Sequence, residues 1–120
     1  MAHIIDLKTF TDDRGRLTVV EKVIPFEIKR VFYIYDVNDS PRGGHRHHKT
    51  LQAAICLKGS CMIYNNDGVN EEEFILDSPS LCLLLETKDW HEMHHFSPDA
   101  ILMVLASEYF DENDYIFTKY

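Results

Sequence analysis

Two histidines in the segment Gly43 to Lys49 are the residues of this chain best suited to carry out chemistry. His45 and His47 are two residues apart, and side chains at that spacing on a β-strand point to the same face. We therefore expect both imidazoles to enter one pocket, where groups that titrate near neutral pH can pass protons in either direction. His48 is expected to point to the opposite face, outside the site.

A second cluster of histidines lies in the segment Trp90 to His95, which contains His91, His94 and His95. Its separation from the first cluster is typical of neighbouring strands in a small β-barrel or sandwich. We therefore expect the two clusters to meet in space. Trp90 could stack on a sugar or a nucleobase there, or could close the core.

Metal binding is the alternative use of these side chains. His45, His47 and Gln52, together with His91 or His94, would supply ligands that carry no charge. An amide oxygen is a weaker ligand for a transition metal than a carboxylate. We therefore expect no metal and no other cofactor, and interpret the histidines as a general acid and a general base. A metal-dependent enzyme is the second hypothesis.

Basic side chains form another candidate group. The net charge of -8 argues against nucleic-acid binding, because a phosphate backbone needs a basic face. An anionic ligand would need a local basic pocket, since guanidinium groups hold phosphates through paired hydrogen bonds. Arg42 directly precedes the glycines of the first cluster and is the best placed, whereas Arg46 should face away from the histidines. The other basic candidates are Arg14, Arg16, Arg30 and Lys49.

Two tyrosines are candidates for contact with a ligand hydroxyl. Tyr33 and Tyr35 share one face of a predicted strand, and Phe32 and Ile34 share the other. One of the two faces must pack in the core, which is the usual place for aromatic residues in a strand. A tyrosine hydroxyl beside the histidines could bind a sugar hydroxyl.

The elements that must position these residues are β-strands. Short runs rich in β-branched and aromatic residues alternate with turn residues, which predicts an all-β, single-domain sandwich or small barrel over residues 1–120. Asn65 to Gly68 predicts a hairpin turn, and residues 108–120 are expected to be helical or irregular. The predicted strands cover residues 4–10, 16–22, 28–37, 45–57, 61–64, 73–76, 81–86, 91–96 and 100–107.

The remaining composition limits the class of protein. No apolar stretch is long enough to span a membrane, and the amino terminus shows no signal-peptide pattern. These features predict a cytoplasmic protein that binds no membrane. The three cysteines, Cys56, Cys61 and Cys82, lie in apolar runs, which predicts buried free thiols.

The chain resembles the sugar 3,4-ketoisomerases that act on dTDP-4-keto-6-deoxyglucose, which belong to the cupin superfamily. The spacing of His45, His47, Gln52 and Gly59 is similar to the first cupin motif, and the wider match runs in order over nearly the whole chain. The matching segments are Asp12 to Leu17, Ile28 to Val31, Pro41 to His47, Leu57 to Cys61, Leu76 to Pro79, Trp90 to His94 and Val104 to Tyr109.

This resemblance implies a cupin-type jelly roll and a homodimer with exchanged amino-terminal strands. It implies a metal-free isomerase that moves the keto group of dTDP-4-keto-6-deoxyglucose from C4 to C3 through an enediol. The product would lead to 3-amino sugars of bacterial surface glycans, such as lipopolysaccharide O-antigen or S-layer glycans. His47 would remove the C3 proton and return it at C4, and His45 would move a proton between the two oxygens.

The same resemblance implies further roles. Tyr35 and Arg42 would lie near the sugar and the diphosphate. Arg16 combined with His91 resembles the members that form the galacto-configured product. The chain departs from the family at Arg46, where a small residue is common, and at His48, where lysine is common. A non-catalytic cupin that binds dTDP-sugars is a third hypothesis, and the matched motifs are not those of the related 3,5-epimerases.

Overall fold

The computed structural model describes all of residues 1–120. Eleven strands, one short 3-10 helix at Glu112–Asp114 and a final two-residue strand follow each other along the chain. The strands are β1 (His3–Asp6), β2 (Lys8–Asp12), β3 (Gly15–Val19), β4 (Arg30–Ile34), β5 (Arg42–His47), β6 (Gln52–Lys58), β7 (Cys61–Asn66), β8 (Glu71–Leu76), β9 (Leu81–Leu85), β10 (Trp90–His94), β11 (Ile101–Ala106) and β12 (Tyr115–Ile116).

Two five-stranded antiparallel sheets form the body of the molecule. The first has the strand order β1-β9-β6-β11-β4 and the second the order β12-β5-β10-β7-β8. Their inner faces contribute together to a core of 12 buried residues, with Leu83 and Leu102 from the first sheet and Ile63 and Met93 from the second. The expected all-β jelly roll is therefore confirmed.

A smaller apolar cluster lies on the outer face of the first sheet. Ala53, Ile55 and Leu84 are buried there, and Ile24 and Phe26 pack against them from the segment that joins β3 to β4. All three cysteines are buried and unpaired, as predicted. No helix in the structure has the length and apolar character needed to cross a membrane.

The hairpin of β2 and β3, hereafter the arm, pairs only with itself. Its apolar side chains are open to solvent, with Phe10 53% and Leu17 59% exposed. The molecule is elongated, with principal extents of 48 × 32 × 26 Å. The arm is therefore an extension that the core of the single chain does not cover.

Two predicted strand boundaries were wrong. Residues 45–57 form two strands in different sheets, because the carboxylate of Asp114 accepts hydrogen bonds from the backbone of His48 and Lys49 and holds a turn there. Residues 4–10 are likewise divided between β1 and β2, where the buried Leu7 donates its backbone N–H to Ser80 at 2.7 Å. The tail is helical at Glu112–Asp114, as expected for part of it, and β12 then adds to the second sheet as an edge strand.

Candidate active site

Three histidines meet on the inner face of the second sheet. His45 on β5 lies opposite His91 on β10 in the antiparallel register, and His47 follows two residues later on the same face. The ring of His45 is centred 5.0 Å from each of the other two rings. The two predicted clusters therefore meet through His91, whereas His94 lies on the outer face beside Glu73.

A β-bulge brings Arg42 onto the same face as these histidines. Arg42 and His45 are three residues apart, a spacing that would place them on opposite faces of a regular strand. The register between β5 and β10 shifts there, because His45 pairs with His91 but Gly43 pairs with Glu92. Gly43 and Gly44 both have positive φ angles, of 87° and 78°. The bulge therefore needs these two glycines to turn Arg42 inward.

A cavity of about 140 Å³ lies beside the histidines. Its polar wall is formed by Arg42, His45, Gln52 and His91, together with Tyr115 from β12. Pockets that enclose a whole drug-sized ligand have volumes of roughly 300–1,000 Å³, so this one can enclose a sugar ring but not a whole nucleotide sugar. Apolar side chains form the rest of the wall: Phe32, Ile34, Ala54, Ile63, Leu85, Met93 and Val104.

His47 is joined to a buried carboxylate. Its Nδ1 lies 2.9 Å from Oδ2 of Asp114, which also accepts a hydrogen bond from the hydroxyl of Thr50. Burial alone would raise the pKa of Asp114, but the hydrogen bonds from Thr50, Lys49 and His47 outweigh it and lower the pKa. An ionised Asp114 keeps the proton of His47 on Nδ1, so the lone pair is on Nε2, which is buried without any partner.

All three imidazoles are held neutral. Burial, followed by the neighbouring His91, lowers the pKa of His45 to about 4, and burial lowers that of His91 to about 4. Burial also lowers the pKa of His47, although Asp114 opposes the effect. His91 donates from Nδ1 to the carbonyl of Asp89 at 3.0 Å. The site therefore presents neutral imidazoles that can accept protons at neutral pH.

The contribution of the carboxyl-terminal tail to the site was not predicted from the sequence. Asp114 holds His47, and the ring of Tyr115 is centred 4.6 Å from that of His45 and 4.8 Å from that of His47. The pairing of β12 with β5 and the hydrogen bonds that Asp114 accepts from residues 48–50 bring these residues together. A two-residue strand has no readable periodicity in a sequence.

Several predicted ligand contacts lie away from the cavity in the single chain. Tyr33 and Tyr35 are 62% and 57% exposed and stack on each other at 5.9 Å; it is Phe32 and Ile34 of the same strand that line the cavity. The alternation of β4 therefore puts the tyrosines on the outer face of the first sheet.

The other basic candidates differ in their surroundings. Arg14 pairs with Asp12 at the tip of the arm, and Arg16 lies on the arm as well. Lys49 is directed towards Asp111, at 3.6 Å. Arg30 alone of this group lies near the histidines: its charge contributes to the lowered pKa of His47, and its guanidinium lies over the rings of Phe32 and Phe110.

Trp90 and Arg46 face the opposite side of the second sheet from the histidines. Trp90 lines an outer groove with Tyr64 and Lys119, and its indole nitrogen donates to the carbonyl of Phe117 at 3.1 Å. Arg46 contacts the end of the tail, away from the cavity, as the alternation of the strand predicts. His48 is exposed.

The same three histidines could also hold a metal ion. One ring nitrogen from each of His45, His47 and His91 lies within 4.8 Å of the others. Three neutral imidazoles are a donor set that proteins use for zinc. Gln52 beside them adds an amide and no negative charge.

The chain is similar to known proteins of one family. All of residues 1–120 match the family described as "FdtA: WxcM-like, C-terminal". The chain is 48% identical over 125 residues to TDP-4-oxo-6-deoxy-alpha-D-glucose-3,4-oxoisomerase from Aneurinibacillus thermoaerophilus, covering 98% of this chain and 90% of the relative. A 3,4-ketoisomerase from Helicobacter canadensis superimposes with a TM-score of 0.93 at 44% identity, covering 98% of this chain and 90% of the other.

A histidine-to-asparagine variant of the 3,4-ketoisomerase QdtA from Thermoanaerobacterium thermosaccharolyticum has been solved in complex with TDP-4-keto-6-deoxyglucose. It superimposes with a TM-score of 0.92 at 42% identity, covering 98% of this chain and 87% of that chain.

Proposed function

The chain belongs to the FdtA family of WxcM-like carboxyl-terminal proteins, and from that premise we propose that it is a TDP-sugar 3,4-ketoisomerase. Its substrate is dTDP-4-keto-6-deoxyglucose, and it moves the keto group from C4 to C3. The observation that carries the proposal is the meeting of His45, His47 and His91 beside a cavity that Arg42 also lines. The names of the similar enzymes support the same reaction.

The reaction is a transfer of protons that needs no net oxidation. A base removes the C3 proton, and the electron pair forms a C3–C4 double bond while the C4 oxygen takes up a proton. The resulting enediol loses the proton of its C3 oxygen, and C4 gains one, so that C3 becomes the carbonyl carbon. A neutral imidazole can accept a proton in one step and, once protonated, donate it in the next. The chain's own histidines would carry out these proton transfers without a metal.

The two motif histidines have different access to the substrate. His45 lines the cavity, whereas His47 is 4% exposed and is not part of the cavity wall. This difference supports the reverse of the roles that the resemblance implies. We assign removal of the C3 proton to His45 and transfer between the oxygens to His47, whose Nε2 is a free acceptor.

The product is assigned the galacto configuration at C4. His91 lines the cavity, and the combination of Arg16 with His91 resembles the members that form this product. The configuration depends on which face of C4 receives the proton, so His91 would act by orienting the ring or by delivering that proton.

The active enzyme is proposed to be a homodimer with exchanged arms. Two surfaces expose large apolar side chains. The arm exposes Phe10 and Leu17. The outer face of β4 exposes Val31 and Tyr33, and Tyr35 directly after the strand is exposed as well. Association of two copies through these surfaces would bury them. The remaining predicted ligand contacts lie away from the cavity of their own chain, and in such a dimer they can be compared with the cavity of the neighbouring subunit. These residues are Arg14, Arg16, Tyr33, Tyr35, Lys49 and Trp90.

The place of the enzyme in a sequence of reactions follows from the chemistry of its product. A 3-keto sugar nucleotide is a substrate for transamination, so an aminotransferase and then an acyltransferase would act next and supply a bacterial surface glycan. Such precursors are made in the cytoplasm, where we place the enzyme. Neither nucleic acid nor a membrane is assigned as a partner.

Incubation with dTDP-4-keto-6-deoxyglucose in deuterated water, followed by NMR of the sugar, tests the function directly. We expect a 3-keto product that carries deuterium at C4, whose couplings reveal the configuration. His45→Asn should abolish the exchange of the C3 proton, whereas His47→Asn should retain that exchange but form little product. Binding of TDP without isomerisation would instead support a non-catalytic binding protein.

A metal-dependent cupin enzyme is a second candidate function, because the three histidine nitrogens form a compact donor set. His45, His47 and His91 would hold the ion, which would polarise the substrate carbonyl. Metal analysis of the purified protein, combined with activity before and after treatment with a chelator, separates the two candidates. Stoichiometric metal together with loss of turnover on chelation would replace the proposed mechanism.

A further inference from the structure

The last four residues of the chain are bound to the outer face of the second sheet, chiefly by Arg46. Its Nε donates to the carbonyl of Thr118 at 3.3 Å, and its Nη1 donates to the hydroxyl of Tyr120 at 3.3 Å. The guanidinium also lies 4.3 Å from the centre of the Tyr120 ring. One side chain therefore contacts the tail through two hydrogen bonds and one cation–π interaction.

The tail also contacts the sheet through Lys119, which makes cation–π interactions with two aromatic rings. The ammonium of Lys119 lies 4.6 Å from the ring centre of Tyr64 and 5.1 Å from that of Trp90, and Trp90 donates to the carbonyl of Phe117. The hydroxyl of Tyr120 donates to the carbonyl of Lys88 at 2.8 Å. We call Arg46, Tyr64 and Trp90, with residues 117–120, the terminal latch.

The segment directly before the latch carries two of the groups that touch the catalytic histidines. Asp114 holds His47, and Tyr115 packs against the rings of both histidines. They are continuous with the latch through β12, which has two residues and pairs with β5, and the ring of Phe117 in the latch stacks on that of Tyr115 at 6.2 Å. So short an edge strand has little stability of its own, and the latch supplies contacts beyond it.

We propose that Arg46 is a positioning residue, which holds the tail and so keeps Asp114 and Tyr115 in place against His47 and His45. The inference rests on the proposed isomerase function for its catalytic consequence. It gives Arg46 a role on the outer face of β5, at a position between the two motif histidines.

Arg46→Ala tests the proposal, with Arg46→Lys and Tyr120→Phe as conservative variants. Misplacement of a catalytic group by about 1 Å can cost up to about 100-fold in rate, so we expect Arg46→Ala to lower kcat about 10- to 100-fold with KM changed less than threefold. Tyr120→Phe keeps the ring under the guanidinium and should retain most of kcat. Lys58→Ala, which removes an exposed charge at the end of β6, is the control and should leave kcat unchanged.

A double-variant experiment distinguishes positioning from a general loss of structure. If Arg46 acts through Asp114, adding Arg46→Ala to Asp114→Asn should lower kcat less than twofold further. An equal loss in both backgrounds, or an unchanged kcat in Arg46→Ala itself, would overturn the proposal. Circular dichroism at the assay temperature confirms that each variant is folded.

Nitrogen NMR of the histidine rings gives a reading that needs no turnover. In the wild type His47 should be observed with its proton on Nδ1, and Arg46→Ala should give a mixture of tautomers, whereas Lys58→Ala should not. A wild type without isomerase activity would refute the proposed function but leave this measurement valid. An unaltered His47 tautomer in Arg46→Ala would refute the latch.

Discussion

The carboxylate of Asp114 and the imidazole of His47 are 2.9 Å apart, although 67 positions separate the two residues in the chain. Both side chains are only 2% exposed. The pair fixes the tautomer of an imidazole that we propose to be catalytic, as a buried carboxylate does in other His–Asp pairs. Asp114 also accepts the backbone hydrogen bonds that turn the chain from β5 to β6, so one residue serves both the fold and the site.

Asp114→Asn is expected to keep the fold but lose most of the activity. The amide can still accept hydrogen bonds through its oxygen, yet it no longer favours a proton on Nδ1 of His47. We expect kcat to fall at least about 100-fold, within the range of general acid–base contributions. Measurements of turnover and of the free energy of unfolding check this prediction. Asp111→Asn, which alters an exposed partner of Lys49, is the control. Wild-type turnover in Asp114→Asn would remove this pair from the mechanism.

Gln52→Glu is expected to convert the site towards metal binding. Gln52 is 4% exposed and lines the cavity with His45 and His91. A carboxylate there adds a charged ligand to three imidazoles and so strengthens binding of a divalent transition metal. Metal content after purification should rise relative to the wild type, and isomerase turnover should fall. Equal metal content in the two proteins would show that the cavity does not direct Gln52 towards the histidines.

Gly43→Ala is expected to disrupt the bulge that turns Arg42 inward. A Cβ at this position would lie 3.0 Å from the carbonyl oxygen of His91 and 3.2 Å from Met93, at a φ of +87°. The backbone must therefore shift, which should raise KM for the nucleotide sugar and lower the free energy of unfolding by about 1–3 kcal/mol. Gly59→Ala is the control, because its φ is also positive and its Cβ would clash with Ser97, but it lies in the turn between β6 and β7, outside the cavity wall.

The measurements for this pair are the midpoint of chemical denaturation and KM. Gly59→Ala should lose stability through backbone strain and crowding without a change in KM. A KM in Gly43→Ala equal to that of the wild type would contradict a role of the bulge in placing Arg42.

Acidification is expected to destabilise the protein between pH 6.5 and about pH 4. Burial lowers the pKa of His91 from 6.5 to about 4, so the unfolded chain binds a proton in this window that the folded chain does not. The unfolding free energy therefore falls as the pH decreases, by about 2 kcal/mol from His91 between pH 7 and pH 5. Urea denaturation at both values checks this, and His91→Gln should show a smaller loss. Equal losses in the two proteins would place the effect at other groups.

The residues of the first motif could be read from the sequence because their information is local. The spacing of His45 and His47 sets their common face, and the alternation of Phe32 with Tyr33 sets which pairs share a side of β4. These inferences follow from the two-residue period of a strand, and the structure agrees with both. The resemblance to a known family added the reaction and the jelly roll, which composition alone could not give.

Tertiary structure decided what depends on pairing between distant strands. The register of β5 with β10 placed His91 opposite His45, and the bulge at Gly43 and Gly44 reversed the side on which Arg42 points. Asp114 and Tyr115 reached the site through the hydrogen bonds of Asp114 to residues 48–50 and the pairing of β12 with β5. A strand's own residues fix which side chains share a face, but the partner strand and its register are set by contacts across the whole core.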